Sequence, residues 1–197
     1  MSARDDILMS IRSRTRAVAP KPELYRAPNI PSDLVTAFVV KAEAVNTEIL
    51  ILEREDEIPT AIAEILRAHN LAARVHLPPN SDVAGLETLT VLRDPPGPDD
   101  TTVTCAPLAI AETGTLVQPA RDASPASWHF RPGFEIAILK ASDIVAQFED
   151  ALVELKKQNL PPTINLITGP SRTGDIEQTL EIGAHGPKAL AVLIIRD

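Results

Sequence analysis

Two apolar runs near the end of the chain, residues 164–167 and 190–195, set the tightest limits on its fold. Both have strand length and read as buried strands of the kind found in sheets covered by helices. Between them, Gly169 and Pro170 stop the first strand, and the polar stretch that follows cannot continue it. From Asp175 onward, Ile176 and Leu180 stand four apart, a spacing that predicts a helix. Strand, polar loop and helix start is the order with which α/β proteins build small-ligand sites. At such a helix mouth, unpaired backbone N–H groups would meet an anion together with the Ser171 and Thr173 hydroxyls and the Arg172 guanidinium. Asp175 and Glu177 would fall in the same first turn, where carboxylates satisfy the dipole themselves. A phosphate or carboxylate site and a plain capped turn therefore both stand as readings.

Aromatic residues supply only 3% of the chain, so Ala, Val, Ile and Leu must fill the core, as they do where helices pack on a central sheet. With 197 residues the chain can bury one sizeable core or at most two small ones. The pattern from Asn46 onward alternates. Strands are expected at 47–52, 73–77, 88–92, 102–105, 135–139 and 190–195, with helices at 59–69 and 145–157. Before this, Ile7, Leu8 and Ile11 share a helix face, and Pro20, Pro22, Pro28 and Pro31 form an extended connector. Ser32 is the expected N-cap of a helix carrying Leu34, Val35, Phe38 and Val39. The expected organisation is an N-terminal helical arm and Pro-rich connector over 1–31 and a single α/β domain over 32–197.

The formal charge of −8, with no basic stripe interleaved with aromatics, argues against nucleic acid as a partner. The single cysteine, Cys105, excludes an internal disulfide framework and any four-thiolate zinc or iron–sulfur site made by this chain alone. Cys105 itself is expected to be a buried small hydrophobe. His69, His76 and His129 show no metal-ligand spacing, so no metal is predicted. Neither a Walker A loop, a Gly-x-Gly-x-x-Gly fingerprint nor a Gly-x-Ser-x-Gly elbow is present. A polar N-terminus and the lack of a run long enough to span a bilayer lead to a cytoplasmic expectation.

A second motif lies in the apolar stretch 108–117, whose polar centre is Glu112-Thr113-Gly114-Thr115. The stretch reads as a strand interrupted by a bulge or sharp turn at Gly114. Unpaired, these polar groups would be costly to bury. Either Glu112 caps neighbouring backbone, or it faces the same pocket as Ser171 and Arg172 as base, nucleophile or ligand contact. His185-Gly186-Pro187 has the form of a sharp helix exit, with Gly183 and Gly186 as permissive backbone.

At these residues the sequence resembles the LUD-domain family of lactate utilisation protein C. The resemblance rests on Ala111-Glu-Thr-Gly-Thr115, Ile167-Thr-Gly-Pro-Ser-Arg-Thr173, Asp175-Ile-Glu177 and Gly183-Ala-His-Gly-Pro-Lys188, in this order and spacing. Trp128-His-Phe-Arg-Pro132 departs from the leucine-rich, proline-ended segment associated with the family. What the resemblance implies is a three-layer α/β fold with a mostly parallel central sheet, similar to the sugar-phosphate isomerases and CoA transferases. It further implies a role beside two partner proteins, one or both carrying iron–sulfur clusters, in oxidising L-lactate to pyruvate. The chain itself would carry no cofactor, and a homo-oligomer is compatible with it. Ligand contacts are then expected from Glu112, Thr113, Gly114, Thr115, Gly169, Ser171, Arg172, Thr173, Asp175, Glu177, His185 and Gly186, with Glu112 the candidate catalytic group. Two other readings stand beside this one: an independent enzyme of the CoA-transferase or phosphorylated-metabolite type, and a small-acid-binding module without chemistry.

Overall fold

The computed structural model describes residues 3–13, 20, 23, 32–79, 81–121, 124–157, 160–174, 180–183 and 185–196. Its helices are α1 (Ala3–Ser13), α2 (Leu34–Ala44), α3 (Ile58–Ala68), α4 (Ser127–Phe130) and α5 (Phe148–Lys157). Its strands are β1 (Glu48–Leu52), β2 (Arg74–His76), β3 (Thr90–Leu92), β4 (Thr101–Ala106), β5 (Leu108–Ile110) and β6 (Thr115–Pro119). They continue with β7 (Phe134–Lys140), β8 (Ile144–Val145), β9 (Ile164–Ile167), β10 (Arg172–Gly174), β11 (Leu180–Ile182) and β12 (Ala189–Ile195).

The continuous apolar run of β12 has no polar face because both of its faces enter a core. Side chains alternate along a strand. Ala191, Leu193 and Ile195 join Ile62, Ile65 and Leu66 of α3, while Leu190, Val192 and Ile194 join Phe38 and Ala42 of α2. β7 divides in the same way, Ile136 and Ile138 to the first side and Ala137 and Leu139 to the second. These strands lie in a six-stranded sheet of order β1-β12-β7-β4-β2-β3, parallel throughout. Helix α3, sheet and α2 form three layers, the α/β architecture expected from the sequence. Burying each Leu or Ile contributes about 1.5–3 kcal/mol, whereas exposed pairs such as Arg196–Glu53 and Lys140–Glu55 contribute about 1 kcal/mol or less. The apolar alternation therefore fixes the layering.

Beside α2 sits a second sheet of order β8-β5-β6-β9. One face, with Ala109, Leu116, Ile144 and Ile167, extends the core around α2, and the other, with Leu108, Ile110 and Val117, is covered by Ala151 and Leu155 of α5. The interruption expected at Gly114 is a sharp turn: β5 and β6 pair antiparallel, Ile110 opposite Thr115, with residues 111–114 between them. Gly114 has φ +67°, and a Cβ there would stand 2.5 Å from the backbone nitrogen of Ala42. Only glycine combines that conformation with contact against α2.

Several local expectations are corrected. Asp33, not Ser32, caps α2: its carboxylate accepts the Thr36 N–H at 3.0 Å and the Thr36 hydroxyl at 2.6 Å. The helix expected over 145–157 starts at Phe148, because Ile144 and Val145 pair as β8 alongside Ala109 and Ile110. The helix expected from Asp175 falls largely on 175–179, outside the described residues, but Leu180 is not helical: 180–182 pair antiparallel with 172–174, Arg172 opposite Ile182 and Gly174 opposite Leu180. Leu180 thus lies in a strand, and Ile176 lies outside the described residues. Asp175 and Glu177 lie outside the described residues. Helix α1 buries none of its residues, and most of the Pro-rich connector falls outside the described residues. Among the described residues no helix is long and apolar enough to cross a membrane.

Asp100 ties the loop over 94–100 to the sheet. Its carboxylate accepts the Gly97 N–H at 2.8 Å and an Arg74 guanidinium N–H at 2.8 Å, and its carbonyl accepts the N–H groups of Gly133 and Phe134. The Gly97 N–H, with the nearby His76 and Arg74, holds the Asp100 carboxyl below the ordinary carboxylate range. A carboxyl lowered on folding stabilises fully above its unfolded value and loses that contribution as pH falls through the folded one. Wild type should therefore exceed Asp100→Asn in urea stability at neutral pH, and the gap should close under acid. A gap that does not depend on pH would contradict this. Gly114→Ala should cost about 2 kcal/mol or more through left-handed strain and backbone overlap. Gly97→Ala, where a Cβ meets only an Asp100 oxygen at 3.2 Å, should cost far less in the same unfolding assay.

Candidate functional site

β9 runs straight into Thr168, and Gly169, with φ +77°, turns the chain sharply; a Cβ there would stand 2.6 Å from the Val45 carbonyl oxygen. This close approach is the physical reason for glycine at that position. The Ser171 N–H then donates to the Pro187 carbonyl at 2.8 Å, and the Ser171 carbonyl accepts the Gly183 N–H at 3.0 Å. Lys188 N–H in turn donates to the Gly133 carbonyl at 2.8 Å, tying the segment before β12 to the one before β7. These bonds bring three loops together around a concavity of about 370 Å³. Its apolar walls are Val45, Phe130, Leu166, Ile167, Pro170 and Pro187. Its polar lining is His129, Thr168, Ser171, Arg172 and His185, with Gly169 and Gly186 completing it. A Cβ on Gly186 would come within 3.1 Å of the Ser171 Cβ, so the bare backbone there keeps the loops close.

Five of the residues expected from the sequence thus share one cavity: Gly169, Ser171, Arg172, His185 and Gly186. Arg172 and His185 are exposed, while Gly186 is buried. The second motif sits apart. Glu112 is exposed in the β5–β6 turn, its N–H donates to the Ala146 carbonyl at 3.1 Å, and it does not line the concavity. What connects the motifs is a row of hydroxyls, Thr113 to Thr115 at 2.7 Å and Thr115 to Thr168 at 2.7 Å, ending on the cavity wall. Gly114 holds that turn against α2. Thr173 pairs in β10 opposite Glu181, and Asp175 and Glu177 lie outside the described residues.

The polar centre that sequence reasoning missed is the wall residue His129. Its ring is fully buried, and Nδ1 lies 2.7 Å from Oε1 of Glu135, equally buried in β7. The Thr104 hydroxyl donates to the same carboxylate oxygen at 2.8 Å. On its other side, His129 Nε2 has the Ser124 hydroxyl at 3.4 Å. Ser124, His129 and Glu135 follow the order of a nucleophilic triad, but the serine contact is long and Ser124 does not line the concavity. The signal lay in Glu135 itself: a carboxylate inside an apolar strand needs a partner.

Elsewhere, Cys105 reaches the surface near the end of β4, contrary to the buried position expected. Crowding by surrounding protein, with the Glu55 carboxylate nearby, pushes its thiol up, away from reactive thiolate. His69 contacts Glu48 at 2.7 Å, and His76 contacts the Asp94 carbonyl at 2.9 Å. Among the described residues no group of three His, Cys, Asp or Glu could hold a metal ion.

The chain is similar to lactate utilization protein C of Geobacillus thermodenitrificans (strain NG80-2), 36% identical over 95 residues, which is 46% of this chain and 40% of the relative. It is also similar to lactate utilization protein C of Macrococcus caseolyticus (strain JCSC5402), 36% identical over 100 residues, 48% of this chain and 43% of the relative. The chain thus spans about two fifths of the length of these relatives. In fold it is similar to the crystal structure of a DUF162 family protein from Deinococcus radiodurans, with a TM-score of 0.62, 23% identity, and coverage of 83% of this chain and 97% of that one. The LUD domain family model matches residues 98–195. That segment holds β4 to β12 and every lining residue of the concavity except Val45, and through it the chain belongs to the LUD domain family.

Proposed function

We propose that this chain is a subunit or accessory protein without iron–sulfur clusters in an L-lactate-oxidising system of the cytoplasm, and that the concavity behind Gly169 binds a small carboxylic acid. The observation that carries the reading is the coincidence of the family segment with the cavity lining. The curated relatives bear the name lactate utilization protein C. The lining suits such a ligand. Arg172 and the Ser171 hydroxyl offer donors to a carboxylate, and Phe130, Leu166 and Pro187 offer apolar surface to a short carbon chain. At about 370 Å³ the cavity exceeds what a three-carbon acid fills, which leaves room for water or for a group from a partner. With one cysteine in the chain, electron-carrying clusters would reside on partner proteins. Residues 1–31 are read as an arm outside the α/β domain over 32–197, in keeping with the lack of buried residues in α1. The exposed Glu112 gives no support to a nucleophile in a shared pocket, so the transferase reading is not carried forward.

Two experiments bear on this. Calorimetric titration with L-lactate, pyruvate and phosphate should show binding of a carboxylate, and Arg172→Ala should weaken it about tenfold, ~1.4 kcal/mol. Because Arg172 is exposed, the melting temperature without ligand should change little. Equal affinities for wild type and variant would remove Arg172 from the site. Purification of the tagged chain from its native cells should also bring down cysteine-rich, iron-containing proteins, and the recovered complex should oxidise L-lactate. Recovery of the chain alone, from cells growing on lactate, would contradict the assembly.

A further inference from the structure

We propose that this chain forms a two-fold dimer by exchanging its N-terminal arms, α1 of each copy lying in the groove between α2 and the carboxyl end of β1 of the other. Helix α2 is apolar on every side, with Thr36, Lys41 and Glu43 its only polar residues, yet it buries only Phe38 and Ala42. A helix that is apolar all round is ordinarily covered all round. Here the outer side is open: Val40 is 59% exposed, and Ile51 of β1 is 40% exposed. Together with Val35, Val39 and Ala141 they line a groove of about 550 Å³. The charged groups on its rim, Asp33 and Arg196, are engaged with Thr36 and Glu53, so what the groove offers is apolar surface.

The same chain carries an apolar face that nothing covers. Helix α1 buries no residue, and Ile7 and Leu8, which share a face with Ile11, are 61% and 37% exposed. An isolated helix of this length is marginal in water, so α1 needs a surface to lie on. The connector decides which copy supplies it. Residues 14–33 separate the two helices and end at Asp33, on the rim of the groove. With prolines at 20, 22, 28 and 31, such a spacer is semi-rigid and extends about 3 Å per residue, roughly 60 Å in all. It leads α1 away from the groove at which it ends, and it is long enough to reach that of a second copy. A two-fold axis makes the exchange reciprocal, so each dimer fills two grooves and leaves no arm to recruit a third chain.

Sedimentation velocity of the full chain at tens of micromolar should show a dimer that dissociates on dilution. Ile7→Glu with Leu8→Glu on the arm, and Val40→Glu in the groove, place charge in the contact. Each should weaken association about a hundredfold and leave monomer at the same concentration. All three positions are exposed in the single chain, so the melting temperature of dilute protein should match wild type. Disulfide trapping identifies the exchange, and it carries the test by itself if Val40→Glu folds poorly. With the single native thiol removed by Cys105→Ser, Leu8→Cys and Val40→Cys should give on mild oxidation a covalent dimer whose linked peptides join position 8 of one chain to position 40 of the other. A wild type that stays monomeric overturns the proposal, whether the arm then rests on its own groove, a membrane surface or another protein. A dimer that survives the arm and groove substitutions overturns it as well, and so does an 8–40 link formed only within one chain.

Discussion

The last turn of α2 is the contact on which the rest of the molecule depends. The helix stops because Asn46 adopts φ 66°, its N–H donating to the Glu43 carbonyl, and the chain passes through Thr47 straight into β1. Asparagine tolerates that left-handed conformation better than most residues. Against this turn press two glycines from distant parts of the sequence, Gly114 at Ala42 and Gly169 at Val45. In each case backbone meets backbone at a distance that excludes a Cβ. The second sheet is thereby fixed relative to the first, and Val45 becomes a wall of the concavity. A hairpin turn and a strand exit that are 55 residues apart are thus positioned by one helix end.

The buried pair on β7 is the opposite kind of constraint, one that costs stability to keep. Removing one partner of a buried ion-paired or hydrogen-bonded couple costs about 3–5 kcal/mol, whereas an apolar pair of similar volume would often serve stability as well or better. Glu135 also holds an oxygen, Oε2, that has no hydrogen-bond partner among the described residues. A strand whose neighbours Phe134, Ile136 and Ala137 are all apolar would pack without this carboxylate. The carboxylate is instead held by His129 and Thr104, so the three side chains form one buried polar cluster between β4, β7 and α4.

How much of this was legible in the sequence depended on whether one period described a segment. β12 was readable because burial on both faces leaves an uninterrupted apolar run, and β7 because its run is broken only by Glu135 before the terminal Lys140. Gly114 and Gly169 were readable as turns, though not as contacts, since the partner backbone lies some seventy or more residues away for one and over a hundred for the other. The segment after Arg172 was misread because a four-residue spacing between two apolar residues fits a helix and says nothing of the β10–β11 pairing that claims Leu180. Glu112 drew attention as a carboxylate in an apolar stretch, yet a two-strand turn lifts it into solvent. The same argument applied to Glu135 would have succeeded, and the partner, six residues earlier across the end of α4, has no periodic relation that a pattern could detect.

Open parallel sheets usually place their ligands beyond the carboxyl ends of the strands, and this chain has a groove there. It lies beyond β1, β7 and β12 with a volume of about 550 Å³, lined by Val35, Val39, Val40, Ile51, Ala141 and Arg196 among others. Its charged groups are committed elsewhere. Asp33 spends both carboxylate oxygens on Thr36 at the cap of α2, and Arg196 reaches Glu53 at 3.1 Å. At the opposite edge, the loops that enter β7 and β12 meet the exit of β9, and there Ser171, Arg172 and His185 line one concavity. The second sheet explains the exchange of ends. By delivering Thr168 to Arg172 to the amino ends of the central strands, β9 carries the site to the edge where the buried pair on β7 waits, and the chemistry goes with the side chains rather than with the topology alone.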